Sequence, residues 1–310
     1  MIQEIIAWFH KKNKSPVEEL LEAAIKILPI AFLIRTFFFG LYIVPTGSME
    51  PRMLVGERFF SDKLTIWFVP IKRGEVIALN SPTYPYSDNP FFNWYERYVW
   101  GPDNWTKRVI GIPGDHVKGV IEGGKPIVYL NGKKLEEPYV NPYPLVYVWR
   151  RGAPSQQDLV LGHGDLVPRT IDPSLPLDQQ PFYNINPQDL YRKNDIRLGD
   201  LIYDPQINGY LLEPGTPLPG GYDIFDVVLG ENEYWVMGDN REGSCDSRHW
   251  GKLDGKLIHG RIRFRFFSIQ FTQPWSRWIF DESWLPVDLV IHPISFWQRI
   301  RWSRCFGIVE

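Results

Sequence analysis

Cysteine is scarce in this chain of 310 residues: Cys245 and Cys305 are its only two. They form no CxxC pair and no metal-type spacing, so the usual thiolate metal and redox motifs are excluded. In oxidising surroundings they could close one disulfide; two independent thiols is the other reading. The six histidines (His10, His116, His163, His249, His259 and His292) include no i, i+4 pair. No metal centre and no cofactor is expected. Charge of one sign is also lacking, with a formal net charge of -2 and a pI near 6.3. That removes the electrostatic case for a nucleic-acid partner. There is no internal repeat, and 310 residues suffice for one large domain or two modest ones.

Aromatic residues are abundant at 15%, with 13 Trp, and 27 prolines accompany them. Such a composition suits a strand-rich body, and Trp and Tyr also favour membrane–water interfaces. The one long apolar stretch is "ILPIAFLIRTFFFGLYIV", Ile27 to Val44, broken only by Arg35. Its 18 residues would span about 27 Å as a helix, close to the hydrocarbon thickness. A charge at the bilayer centre costs about 3 kcal/mol, so the helix is expected over about Leu20–Phe38, with Arg35 near the headgroups. The expectation is a cytoplasmic N-terminus (1–19), basic at Lys11, Lys12 and Lys14, followed by a single-pass transmembrane anchor (20–43). A cleaved leader and an interfacial helix are the competing readings.

Past Val44 the chain breaks into short apolar runs punctuated by Pro, Gly and Asn, the pattern of a β-rich domain over 44–272. "RFFSDKLT" and "GEVIALNSP" read as strands. The segment from Lys107 to Pro138 reads as a strand, a turn and a hairpin closed at Gly123–Gly124, with a second turn at Asn131–Gly132. From about 136 to 222 the sequence reads as an inserted, loop-rich subdomain. "EYWVMGDN" and "IHGRIRFRFFSIQF" resume the strands, and a Trp-rich extension occupies 273–310.

Three polar segments interrupt this pattern: "PTGSMEP" around Ser48, "WTKRVIGIPGD" around Lys107, and "GDNREGSCDSRHWG" from Gly238. Singly, each has a bland reading: a turn, a surface lysine, a polar loop. Their order and combination resemble the type I signal peptidase family, over roughly Phe37 to His259, with a weaker echo in "RWSRCFGI". The resemblance implies a body of coiled antiparallel sheets and a Ser/Lys dyad. Ser48 matches the nucleophile, Lys107 the general base, and Ser244 a serine that orients the lysine amine. Asp246 and Arg248 match a bracing ion pair, with Asp239 and Arg241 as supports, and Thr46 matches a hydroxyl that helps bind the oxyanion. Glu50 and Arg52-Met53 depart from the family's usual residues.

The chemistry agrees with that assignment. A serine attacks only when a neighbour removes its proton, and a lysine can do so when burial disfavours its ammonium form. The apolar "VIGIP" after Lys107 fits such burial. By family analogy Val44, Pro45, Met49 and Met53 are expected to wall a -1 pocket, and Tyr42 and Thr106 to lie near a -3 pocket. An extended substrate would add to an open strand edge near Trp105. The resemblance thus implies a serine endopeptidase that removes signal peptides from preproteins at the outer side of the bacterial cytoplasmic membrane. Its partners would be preproteins and membrane lipid, and it would work as a monomer near the secretion machinery. The alternatives are an inactive homologue that only binds signal peptides, and a self-cleaving protease of the repressor type.

Overall fold

In a computed structural model the described residues are 14–98, 101, 104–141, 221–269, 289–290 and 293–309. Five short strand pieces are described besides: β8 (Tyr147–Trp149), β9 (Leu166–Pro168), β10 (Leu190–Tyr191), β11 (Ile202–Asp204) and β12 (Gly209–Leu211). Most of the expected inserted subdomain, and Trp275, Trp278 and Trp284 of the expected extension, lie outside the described residues.

The chain begins with helix α1 (Pro16–Phe37), started by a capping box. The Ser15 hydroxyl accepts from the Glu18 amide, and the Glu18 carboxylate accepts from the Ser15 amide. None of its residues is buried. This corrects two expectations. The helix stops at Phe37, and Phe39–Ile43 is strand β1 rather than the end of an anchor. Moreover, no described helix is long and apolar enough to cross a membrane. The physical reason is charge: α1 carries Glu18, Glu19, Glu22, Lys26 and Arg35 along its length.

The body is antiparallel. The larger sheet runs β1, β2 (Glu57–Asp62), β16 (Ile258–Ser268), β3 (Val76–Asn80), β4 (Asn104–Gly111), β14 (Glu233–Met237) and β15 (Leu253–Asp254), with β17 (Gly307–Ile308) also paired to β16. The register of β16 shifts against both β2 and β3, and that of β14 shifts against β4. Such irregularities bend a strand and coil a sheet. The second sheet orders β13 (Phe225–Val228), β5 (His116–Glu122), β6 (Lys125–Leu130) and β7 (Lys133–Lys134). Its turns fall where the sequence placed them. Gly123 and Gly124 hold positive φ between β5 and β6, and Asn131 and Gly132 do so between β6 and β7.

Three apolar clusters hold these layers. Ile77, Leu79, Val109, Val236 and Leu253 build the main one across β3, β4, β14 and β15. Ile110, Val117, Leu229, Trp235 and Met237 join the two sheets. Val44, Met49, Met53, Phe59, Val76, Ala78 and Ile262 form the third, around the turn after β1. Short helices α2 (Pro90–Tyr98), α3 (Ser247–Trp250) and α4 (Pro293–Gln298) lie between the strands. Cys245 and Cys305 are free thiols.

Candidate active site

Strand β1 ends at Ile43, and after Pro45 the chain tightens into a single 3-10 turn, Gly47–Met49. Thr46, extended at φ -133°, precedes the turn, and Met49 anchors it by packing into the third cluster. The Ser48 side chain is therefore fixed from below by an apolar neighbour and left half-buried. Glu50 follows, buried beneath the turn, and a Cβ at Gly47 would stand 3.0 Å from its carboxylate.

The turn is also held from the far end of the sequence. The Asn240 amide donates to the Ser48 carbonyl at 3.1 Å, and the Asn240 side-chain nitrogen donates to the Gly47 carbonyl at 3.0 Å. Gly238 lies closer still. A Cβ there would be 2.3 Å from Ser244 Oγ and 2.5 Å from the Ser48 carbonyl oxygen. Only a residue without a side chain lets these two segments meet.

Lys107 reaches the turn from β4. It is 5% exposed, and its Nζ lies 3.3 Å from Ser48 Oγ and 3.1 Å from the Thr106 carbonyl oxygen. The Trp105 ring centroid is 5.9 Å from the same nitrogen. Burial pushes the amine below the ordinary lysine range; Asp246, Cys245 and Asp239 oppose that, while Arg248 reinforces it. A serine hydroxyl beside a buried amine of depressed basicity can pass its proton to that amine.

The third segment forms a rigid floor of ion pairs. Arg248 donates to Asp246 at 2.9 Å from both Nε and Nη2, to Asp223 at 2.8 Å and to the Arg241 carbonyl at 2.6 Å. Asp246 also caps α3 and accepts from the Gly238 amide at 2.9 Å. Burial alone would raise the Asp246 carboxyl, but the Arg248 guanidinium beside it holds it below its ordinary value. Arg108 grips Asp239 through two 2.7 Å bonds and lies 4.3 Å over the Tyr139 ring, and Arg241 pairs with Glu137.

Ser48, Lys107, Ser244, Asp246 and Arg248 are thus brought together. No hydrogen bond joins Ser244 to Lys107: the Ser244 hydroxyl is buried beside Asp246 without a well-formed bond to any group. Thr46 is exposed one residue before the turn. Val44, Met49 and Met53 share one cluster, with Tyr42 packed against it, whereas Pro45 is exposed. The Tyr42 hydroxyl lies 3.0 Å from His259 Nδ1. Trp105 packs on the main core, and Thr106 is half-buried on β4.

The open edge expected near Trp105 has a structural basis. Strand β14 ends at Met237, opposite Arg108, so among the described residues Asn104–Lys107 pairs with β3 alone. Sequence reasoning missed Gly238, Asn240, Arg108, Glu137 and Asp223 as parts of the site. The first two stand inside the "GDN" segment and could have been read there, whereas Glu137 and Asp223 carry no local signal.

The family model "Signal peptidase, peptidase S26" matches residues 17–267. A probable signal peptidase I-2 of Synechocystis sp. is 32% identical over 87% of this chain and 84% of its own length. A signal peptidase I of Bacillus amyloliquefaciens is 34% identical over 82% of this chain and 90% of its own. Signal peptidase I P of Bacillus subtilis subsp. natto is 31% identical over 84% and 94%. Matched along most of its length, and with a serine and a buried lysine in contact where its three polar segments meet, the chain belongs to the signal peptidase family, peptidase S26.

Proposed function

We propose that this chain is a serine endopeptidase that removes signal peptides from preproteins, with Ser48 as nucleophile and Lys107 as general base. One observation carries the reading: the Lys107 amine is buried, depressed in basicity and 3.3 Å from the Ser48 hydroxyl. Uncharged, the amine takes the hydroxyl proton as Oγ attacks the scissile carbonyl, and it returns that proton to the leaving amine. The Ser48 amide and the Thr46 hydroxyl stabilise the oxyanion, each donor contributing about 3 kcal/mol. Ser244, Asp246 and Arg248 fix the floor on which the lysine rests.

The substrate lies extended along the unpaired edge of Asn104–Lys107, supplying the strand that β14 leaves out. Val44, Pro45, Met49 and Met53 wall a shallow pocket for a small residue at -1, and Tyr42 and Thr106 border that for -3; Trp105 flanks the edge. The work is placed at the outer face of a bacterial cytoplasmic membrane, on preproteins leaving the secretion machinery, and one chain carries the whole dyad. The exposed apolar side chains of α1 and β1, such as Leu28, Phe32, Phe39 and Leu41, support contact with lipid.

The test is incubation of the purified chain with a preprotein, reading the cut position by mass spectrometry. Cleavage directly after a small residue is expected, with Ser48→Ala and Lys107→Ala each at least about a thousandfold slower. A chain that binds the preprotein and never cuts it, at any pH, is a binding homologue instead.

A further inference from the structure

At the foot of α1 the structure holds a cavity of about 280 Å³ whose lining shares no residue with the nucleophile site. Its lining includes the apolar Phe37, Trp67, Ile71 and Ile258 and the polar Lys63, Lys256 and His259. Among the described residues neither lysine forms an ion pair, and neither does Arg35 in the last turn of α1. The nearby carboxylates are engaged elsewhere. Asp62 accepts from the Thr65 hydroxyl and from the Leu64 and Thr65 amides, and Asp254 accepts from Asn232 and the Lys256 amide.

Lys63 is half-buried, and burial together with Arg35 lowers its amine to about 8. Its nearest described partner is an aromatic face, the Tyr42 ring at 6.0 Å. His259 Nδ1 shares a hydrogen bond with the Tyr42 hydroxyl, while Nε2 is buried without a hydrogen-bond partner. A desolvated ammonium beside a second cation is stabilised by an anion between them. Apolar walls on the same cavity select an anion that carries an apolar group, and the exposed apolar flank of α1 leads away from its rim.

We propose that this cavity binds a phosphate group borne on an apolar tail, the headgroup of an acidic lipid, with Lys63 and Lys256 as the cations that hold it. Nothing in this rests on peptide hydrolysis, so failure of either reading leaves the other intact.

The full chain in neutral detergent is titrated calorimetrically with dihexanoyl phosphatidylglycerol, and in parallel with dihexanoyl phosphatidylcholine and with inorganic phosphate. The acidic lipid is expected to bind most tightly. Lys256→Gln, an exposed change that leaves the core alone, weakens it about fivefold, and Lys63→Gln with Lys256→Gln about 25-fold. Lys125→Gln, on the distant β5–β6 hairpin, stays within about twofold. Phosphatidylcholine or inorganic phosphate binding as tightly as the acidic lipid overturns the proposal, as does an equal loss in Lys125→Gln.

Discussion

At the residue scale the dyad depends on one proton. As the proposed base Lys107 must be uncharged to act, and burial holds its basicity below the ordinary range. Acidification protonates it, so kcat/KM should rise with pH through the lysine's depressed pKa, with unit slope on logarithmic axes. Lys107→Arg keeps a cation that never deprotonates and should be inactive at every pH, whatever its effect on binding. The same shift has a stability consequence of defined sign. The unfolded chain holds the Lys107 proton up to the ordinary lysine pKa, whereas the folded chain releases it earlier. Folding therefore loses stability as pH falls through that window and regains it above. Gly238 is the other sharp case. A Cβ there collides with Ser244 Oγ and the Ser48 carbonyl oxygen, so Gly238→Ala should lower kcat about a hundredfold with little change in KM, read from steady-state cleavage of a peptide. Ser48, Lys107 and the Asp246–Arg248 pair were legible because each stands in a run whose residue types have few other uses together. Arg108 was not. It stands beside Lys107 with no motif of its own, and only the fold reveals Asp239 opposite it.

At the element scale the C-terminal strap bears on the nucleophile loop. Arg304, after α4, donates to Glu57 at 2.6 Å and to the carbonyls of Pro51 and Arg52. Glu57 is fully buried at the start of β2 and also accepts from Ser268 and the Leu54 amide. Arg304→Ala leaves that buried carboxylate to Arg265 alone, at 3.4 Å, which should cost about 1.5 kcal/mol in urea unfolding. Cleavage should also fall, since residues 50–57 follow Ser48 directly. Strand positions were readable from turn residues, and the Gly123–Gly124 and Asn131–Gly132 turns fell in place for a backbone reason, positive φ. The boundary of α1 was not. Phe37 to Val44 is apolar throughout, and apolar content alone does not separate the end of a helix from a buried strand. Pairing with β2 settles it, since Phe39 to Ile43 match Asp62 to Arg58 in register.

At the scale of the whole molecule, the β body and α1 are energetically unequal. The helix buries none of its residues, while the sheets own every apolar cluster built around the dyad. A chain beginning at residue 38 should accordingly unfold within about 1 kcal/mol of the full one, in a denaturant titration followed by circular dichroism. Its cleavage of a soluble peptide should be unchanged, and any loss should appear only with lipid-bound preproteins. A strand-rich body was readable from the rhythm of short runs and turns, and its coiled antiparallel arrangement was implied by the family resemblance. The span of α1 was overestimated because hydropathy counts an apolar majority, whereas crossing lipid is decided by the few charges that remain.

Among the described residues, strand β14 halts at Met237 and leaves Asn104–Lys107 of its neighbour paired on one side only, with the Thr106 carbonyl held by Lys107 Nζ and the other outward main-chain groups open as a row. A visitor that fills this row must arrive unwound, because a helical segment has already spent its main-chain groups on itself. Proline at a position whose amide should face the row is likewise turned away. Selection at this edge thus begins with main-chain shape, before any side chain is inspected.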